Sequence, residues 1–309
     1  MLTLRDIAHI APALDCADNA HAHISVQALT FDVRNLLPET LTYAGGVGYL
    51  RSVLAHDNVA AVLTSRATLE AFTKQGFVLP AGKGILLSDA PKRDFFLLHN
   101  HLAEKTDFYT RPNESSIGAG CKIGSLASID AQNVVIGENV IIEDFVRIGA
   151  NTSIGAGSII RSGTVIGGDG FQFMRENDTI LKIAHAGGVS IGADVELQAS
   201  CMVDKHIFGG NTVIGNMTKC ADGVHVAHCA RVGERCLLAA GAIVLGSTVI
   251  GNDVWIGPGA IISNELDVED AAFITLGAVV TKNIARGEKV SGNFAIPHSR
   301  FLEHMRSIR

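Results

Sequence analysis

The sequence predicts a parallel β-helix over roughly its last two thirds, preceded by a smaller α/β domain, and three observations carry that expectation. The first is composition. The 309 residues are 47% hydrophobic but only 6% aromatic, and 33 are glycine, so the core must be aliphatic and punctuated by glycine rather than mixed. The second is a six-residue apolar period. From Ile136 it lands on Ile142, Ile148, Ile154, Ile160 and Ile166; from Ile214 it meets Cys220, Val226, Val232, Leu238, Val244, Ile250, Ile256, Ile262, Val268, Ile274 and Val280. The third is the glycine that follows many of these anchors, as in Ile117-Gly118, Ile148-Gly149, Ile191-Gly192 and Ile256-Gly257, which predicts a corner of positive φ after each short strand.

Shorter runs, Ile117, Ile123, Ile129 and Ile191, Leu197, Val203, precede the long ones. Runs of three, six, three and twelve make 24 anchors, or about eight coils of three faces. Two gaps break the period, 25 residues from Ile166 to Ile191 and 11 from Val203 to Ile214. With the faces counted a, b, c, Ile166 and Val203 both fall on face a, so both insertions leave the same corner one coil apart. That corner next carries His228, two residues past Val226. Steps of eighteen then reach Gly246, Asn264 and Lys282. Insertions in a solenoid build a binding face, and a histidine converging with them marks a candidate site. For His225, His206 and His185 a solvated or packed role is the simpler expectation.

Other classes are disfavoured by charge and cysteine usage. With 25 Lys+Arg against 31 Asp+Glu the formal charge is −6, which lacks the basic surface a nucleic-acid partner requires. The six cysteines form no Cys-x-x-Cys pair, so reduced thiols in a cytoplasmic protein are expected, with no metal site. The N-terminus, MLTLRDIAHIAPALDC, has no apolar run suited to a signal peptide, and nowhere do eighteen apolar residues run together, so no integral membrane segment is expected. Ahead of the repeats the pattern predicts a helix-like segment over 5–14, strands near 59–64 and 83–88, and an amphipathic stretch from Arg93 to Lys105. Arg111-Pro112-Asn113 marks a boundary, dividing the chain into an α/β domain (1–112), the β-helix (113–290) and a C-terminal tail (291–309).

The repeats resemble the hexapeptide-repeat acyltransferases. That resemblance implies a left-handed triangular coil, whereas parallel crossovers in general favour the right hand. More specific stretches resemble the UDP-3-O-acylglucosamine N-acyltransferases of lipid A synthesis. Gly168-Asp169-Gly170-Phe171-Gln172-Phe173 leading to Lys182-Ile183 looks like that family's Asp-Gly-Phe-Gly-Phe loop, and Val195-Glu196 and Val203-Asp204-Lys205 resemble two further segments. Val226-Ala227-His228 matches its Ile-Ala-His. Leu2-Thr3-Leu4-Arg5-Asp6-Ile7-Ala8 and Leu41-Thr42-Tyr43 through Tyr49-Leu50 to Val62-Leu63 extend the resemblance over almost the whole chain.

The resemblance implies an N-acyltransferase that moves an acyl group from a thioester to a UDP-linked amino sugar, with His228 as general base. No tightly bound cofactor is needed; the co-substrate is acyl-CoA or an acyl-carrier-protein thioester. Gly246 is the candidate oxyanion donor through its N–H. Tyr43 and Tyr49 would present two aromatics to the uracil. Asp169, Phe171, Phe173, Asp204, Lys205, Asp222 and His225 would complete the sugar-nucleotide site, and Asn264 and Lys282 would face the donor. A homotrimer with sites between subunits is the implied assembly. Some positions depart from the family. Gly46 stands where it has a polar residue, Ala221-Asp222 replaces Asp-Asn, Asn264-Glu265 lies where a second histidine is usual, and the chain stops soon after Gly292-Asn293-Phe294-Ala295. Gly277-Ala278-Val279-Val280-Thr281-Lys282-Asn283 resembles coenzyme-A-using nucleotide-sugar acetyltransferases, which makes an acetyltransferase outside lipid A synthesis one alternative. A same-fold O-acyltransferase is another. A γ-type carbonic anhydrase, which needs three histidines on zinc, fits the 225/228 spacing poorly, and a non-catalytic scaffold leaves the shared corner of loops, histidine and glycine unexplained.

Overall fold

The computed structural model describes residues 1–309 apart from 33, 35, 293–296 and 308–309. The Asn293-Phe294-Ala295 stretch therefore lies outside the described residues. Two compact units divide the chain. One holds Met1–Glu114 with two later segments, Asp169–Gly188 and Lys205–Asn211; the other holds Ser115–Gly168, Val189–Asp204 and Thr212–Arg309.

The second unit is a left-handed parallel β-helix. Its strands form parallel sheets of eight, eight and nine, one per face, and every anchor of the six-residue period lies in a strand. Lys289–Val290 adds one strand beyond the 24 expected. From Val134 onward the inward side chains form one continuous aliphatic cluster, because each six-residue step returns an apolar residue to the axis of the prism. Face a stacks Ile148, Ile166, Val203, Val226, Val244, Ile262 and Val280 in register, so both insertions leave after this face, as the count predicts. Three cysteines lie among the inward residues, Cys201, Cys220 and Cys236. Burial pushes the Cys201 thiol up to about 11 and raises Cys220 and Cys236 as well, so these thiols stay protonated and unreactive at neutral pH.

The glycines after the anchors have a different duty from the one expected. A Cβ at Gly118 would lie 2.6 Å from Glu138 N, and one at Gly155 would lie 2.4 Å from Ala193 N, so glycine there lets one coil settle on the next. Positive φ recurs instead three residues after an anchor, at Gly157 and Gly241 and also at Asn139 and Asn151, residue types that tolerate the left-handed region. Gly167, where the first insertion departs, is an exception with φ +81°. Corners are further tied by carboxylate or amide oxygens accepting from backbone N–H groups one coil back, as Asp144 does from Leu126, Asn216 from Ala193 and Asp270 from Asn252.

The first unit is built on a five-stranded sheet in the order Asp15–Cys16, Gly84–Leu87, Val59–Thr64, Thr40–Ala44, Ala28–Leu29, parallel except at the Asp15–Cys16 edge. Its first helix spans Leu4–Ile10 rather than 5–14. Thr3 caps it in a reciprocal box with Asp6, and Pro12, which cannot donate to a preceding carbonyl, follows just after its end. The amphipathic stretch forms Pro91–Lys105, burying Phe95, Phe96, Leu98, His99 and Leu102. The first inserted segment folds as an antiparallel hairpin, Phe173–Glu176 with Thr179–Lys182, turning at Asn177 with φ 49°. Among the described residues no helix is long and apolar enough to cross a membrane. A C-terminal helix, His298–Ser307, lies in the tail.

Candidate active site

The β-helix brings four of the expected residues together on the corner after face a. His228 lies half-buried two residues past the inward Val226, and Gly246 lies one coil further along. The two are in close packing: a Cβ placed on Gly246 would meet His228 Cε1 at 2.5 Å and both ring nitrogens at 3.0 Å. Only glycine leaves the imidazole this seat. Among the described residues the Gly246 N–H has no hydrogen-bond partner, while its carbonyl accepts from Glu265 N at 3.0 Å. On the preceding coil, Asp204 Oδ2 pairs with His225 Nε2 at 3.0 Å. Burial holds His228 below its ordinary value of 6.5; the Asp204 carboxylate opposes that shift and His225 adds to it. The net direction keeps the imidazole neutral at pH 7, the state in which it accepts a proton.

Asn264 and Lys282 continue the same corner, both exposed; Asn264 Oδ1 accepts from Ser263 Oγ at 3.4 Å. Asp222 is elsewhere. It stands at the corner between faces c and a, where its Oδ1 accepts from Ala199 N at 2.9 Å, repeating the coil-to-coil tie of Asp144 and Asn216. Its carboxylate is thus engaged in stacking coils, away from the corner of His228.

A second cluster belongs to the first unit. Asp169 forms ion pairs with Lys182 and Lys205, both at 3.0 Å. Burial on its own raises the Asp169 carboxyl, but the two ammonium groups outweigh it and hold the carboxyl below its ordinary range. Phe171 and Phe173 pack edge to face with ring centroids 5.0 Å apart, and Phe171 is 86% exposed. Lys182 was not among the expected site residues. The signal for it is the Asn177-Asp178 turn, which pairs Phe173 with Lys182 across the hairpin.

Tyr43 and Tyr49 differ in setting. Tyr43 tilts against Phe95 and Phe96, with centroids 5.1 and 6.1 Å away, in an aromatic cluster that also holds Phe31 and Phe208. Tyr49 is 39% exposed and its hydroxyl donates to Phe31 O at 3.0 Å. His206 accepts from Phe208 N through Nδ1 and His185 is buried, which are the packed roles expected of them. Among the described residues no group of three His, Cys, Asp or Glu side chains is set as metal ligands.

Comparison with known proteins places the repeats. Residues 133–168 match the family model described as bacterial transferase hexapeptide (six repeats). A UDP-3-O-acylglucosamine N-acyltransferase of Campylobacter lari is 33% identical over 132 residues, covering 42% of this chain and 41% of that protein. The enzyme of the same name from Pseudomonas paraeruginosa is 36% identical over 145 residues, 47% of this chain and 41% of the relative. The chain is therefore similar to that family over less than half its length, not over almost all of it as the scattered motifs suggest. It spans about 41% of the length of these relatives. Among solved structures, the UDP-N-acetylglucosamine acyltransferase of Campylobacter jejuni superposes with a TM-score of 0.51 at 22% identity, covering 58% of this chain and 68% of that one, a likeness of fold.

Proposed function

We propose that this protein is an acyltransferase that moves an acyl group from a thioester to the amine of a UDP-linked amino sugar, with His228 as general base. The observation that carries this reading is the seat of His228, an imidazole kept neutral by burial and packed against a glycine whose N–H is unengaged among the described residues. The sugar amine attacks the thioester carbonyl carbon and gives its proton to the imidazole. The Gly246 N–H donates to the oxyanion of the tetrahedral intermediate. As the C–S bond breaks, the imidazolium returns the proton to the leaving thiolate. Asp204 and His225 flank the base, Asp169, Lys205, Phe171 and Phe173 serve the sugar nucleotide, and Asn264 and Lys282 lie on the donor side of the corner. The names of the sequence relatives support an amine acceptor and a UDP sugar. Acyl-CoA or an acyl-carrier-protein thioester is the proposed donor, in the cytoplasm.

Thiol release from an acyl thioester tests this reading. It should require a UDP-amino sugar and stop when the amine is blocked; release that is the same without the amine would refute it.

Two further expectations follow from the proposed site. Tyr49→Ala should raise KM for the UDP sugar by about 5- to 150-fold while kcat at saturation changes little, because base stacking contributes roughly 1–3 kcal/mol and the uracil is remote from the reacting amine. Tyr49 is the better probe, since Tyr43 also packs on Phe95 and Phe96. Unchanged UDP affinity would remove Tyr49 from the site. The proposed assembly is a homotrimer with sites between subunits, for which sedimentation should show three chains; a fully active monomer would contradict it.

A further inference from the structure

The first inserted segment carries Asp169 and Lys182, and two consecutive residues of the helix Pro91–Lys105 bond its backbone next to Lys182. Asn100 makes two bonds to the segment's backbone: its Nδ2 donates to Lys182 O at 2.7 Å, and its Oδ1 accepts from Ala184 N at 2.9 Å. His99, fully buried, reaches the same stretch through Nε2, 2.8 Å from Ala184 O. A carbonyl oxygen only accepts, so Nε2 carries the ring proton and Nδ1 accepts from the Tyr109 hydroxyl at 2.7 Å. The ring also packs edge to face on Phe208 of the second inserted segment, with centroids 4.7 Å apart. Burial lowers His99 to about 4, so the tautomer and both bonds persist at neutral pH.

We propose that His99 and Asn100 are positioning residues: together they clamp residues 182–184 and so hold Lys182 on Asp169, and Asp169 on Lys205, in one preformed arrangement. Neither touches substrate. The inference rests on the proposed function only for what the arrangement serves, the binding of the sugar nucleotide. Side chains with four or more rotatable bonds lose much freedom when fixed, and a clamp on the backbone beneath Lys182 meets part of that cost before the ligand arrives. Asn100 suits this task because one planar amide both donates and accepts across a loop that has no ladder partner on that side.

Hydrogen–deuterium exchange on the full chain, followed by turnover, tests the clamp. Asn100→Ala removes both bonds and should speed exchange at Ala184 and its neighbours about tenfold or more, leaving the strand Val59–Thr64 protected. Asn100→Asp keeps the acceptor for Ala184 N and should retain most of that protection, which guards against a variant that simply folds poorly. The same Asn100→Ala protein should show KM for the UDP-amino sugar raised several-fold with kcat at saturation within about twofold. Unchanged exchange across 169–188 would overturn the clamp, and faster exchange with unchanged KM would overturn its positioning role. If the wild-type protein turns over no UDP-amino sugar, the proposed function fails, while the exchange measurement still decides whether the clamp exists.

Discussion

His228→Ala is expected to lower kcat by about 10²- to 10⁴-fold with little change in KM, the usual consequence of removing a general base that acts in the transition state. The fold should survive. The side chain projects from a corner of the prism, while the inward position of that coil is held by Val226. The pH dependence supplies an independent sign. Because burial holds the His228 imidazole below its ordinary value of 6.5, the base is protonated only in acid, so the limb of kcat it controls should fall below pH 6.5 and be absent from the residual activity of the alanine variant. A variant retaining more than about half of wild-type turnover would show that the proton goes elsewhere.

Gly246→Ala should be nearly as damaging, by about 10²-fold or more in kcat, although it removes no functional group. The backbone N–H remains and Gly246 is not in the left-handed region, so the chain itself accepts alanine. The cost falls on His228, whose Cε1 would lie 2.5 Å from the new methyl and must swing away. A displacement of about 1 Å in a catalytic group is enough for a loss of that size. The steric origin makes a second result necessary: in a His228→Ala background the methyl meets empty space, and Gly246→Ala should then change the residual rate little. Such strong non-additivity identifies a contact between the two positions. Additive losses would mean that Gly246 acts through something other than the seat of the imidazole.

The fold was legible in the sequence because a solenoid writes its geometry into a single period. Each anchor from Ile117 to Val280 lies in a strand, and the two interruptions after Ile166 and Val203 foretell where the chain leaves the prism. His228 and Gly246 could be paired by counting eighteen residues, since coil-to-coil register is a property of the repeat. The glycines were harder. Ile117-Gly118 looks like a turn signal, but in the structure Gly118 is required for close approach and the left-handed residue is Gly120. Local sequence does not separate these two uses of glycine. Asp222 shows a similar limit: an Asp near a candidate histidine in sequence sits on another corner, tied to Ala199 N. The clamp on residues 182–184 depends on bonds across more than eighty residues, from Asn100 and His99, which no periodicity records. Tyr43 lies between these cases, because the sequence shows an aromatic but not the Phe95 and Phe96 rings against which it packs.

The proposed reaction is transfer of an acyl group onto nitrogen of a UDP-linked sugar by way of His228. Its most direct test is the mass spectrum of the product formed from a UDP-amino sugar and an acyl thioester, recorded before and after mild alkaline treatment. The expected gain in mass is one acyl group less one hydrogen, retained through the treatment because an amide resists it, and missing from the reaction with His228→Ala. An acyl gain lost to mild alkali, which marks an ester on oxygen, or an equal yield of amide from the His228→Ala protein, would contradict it.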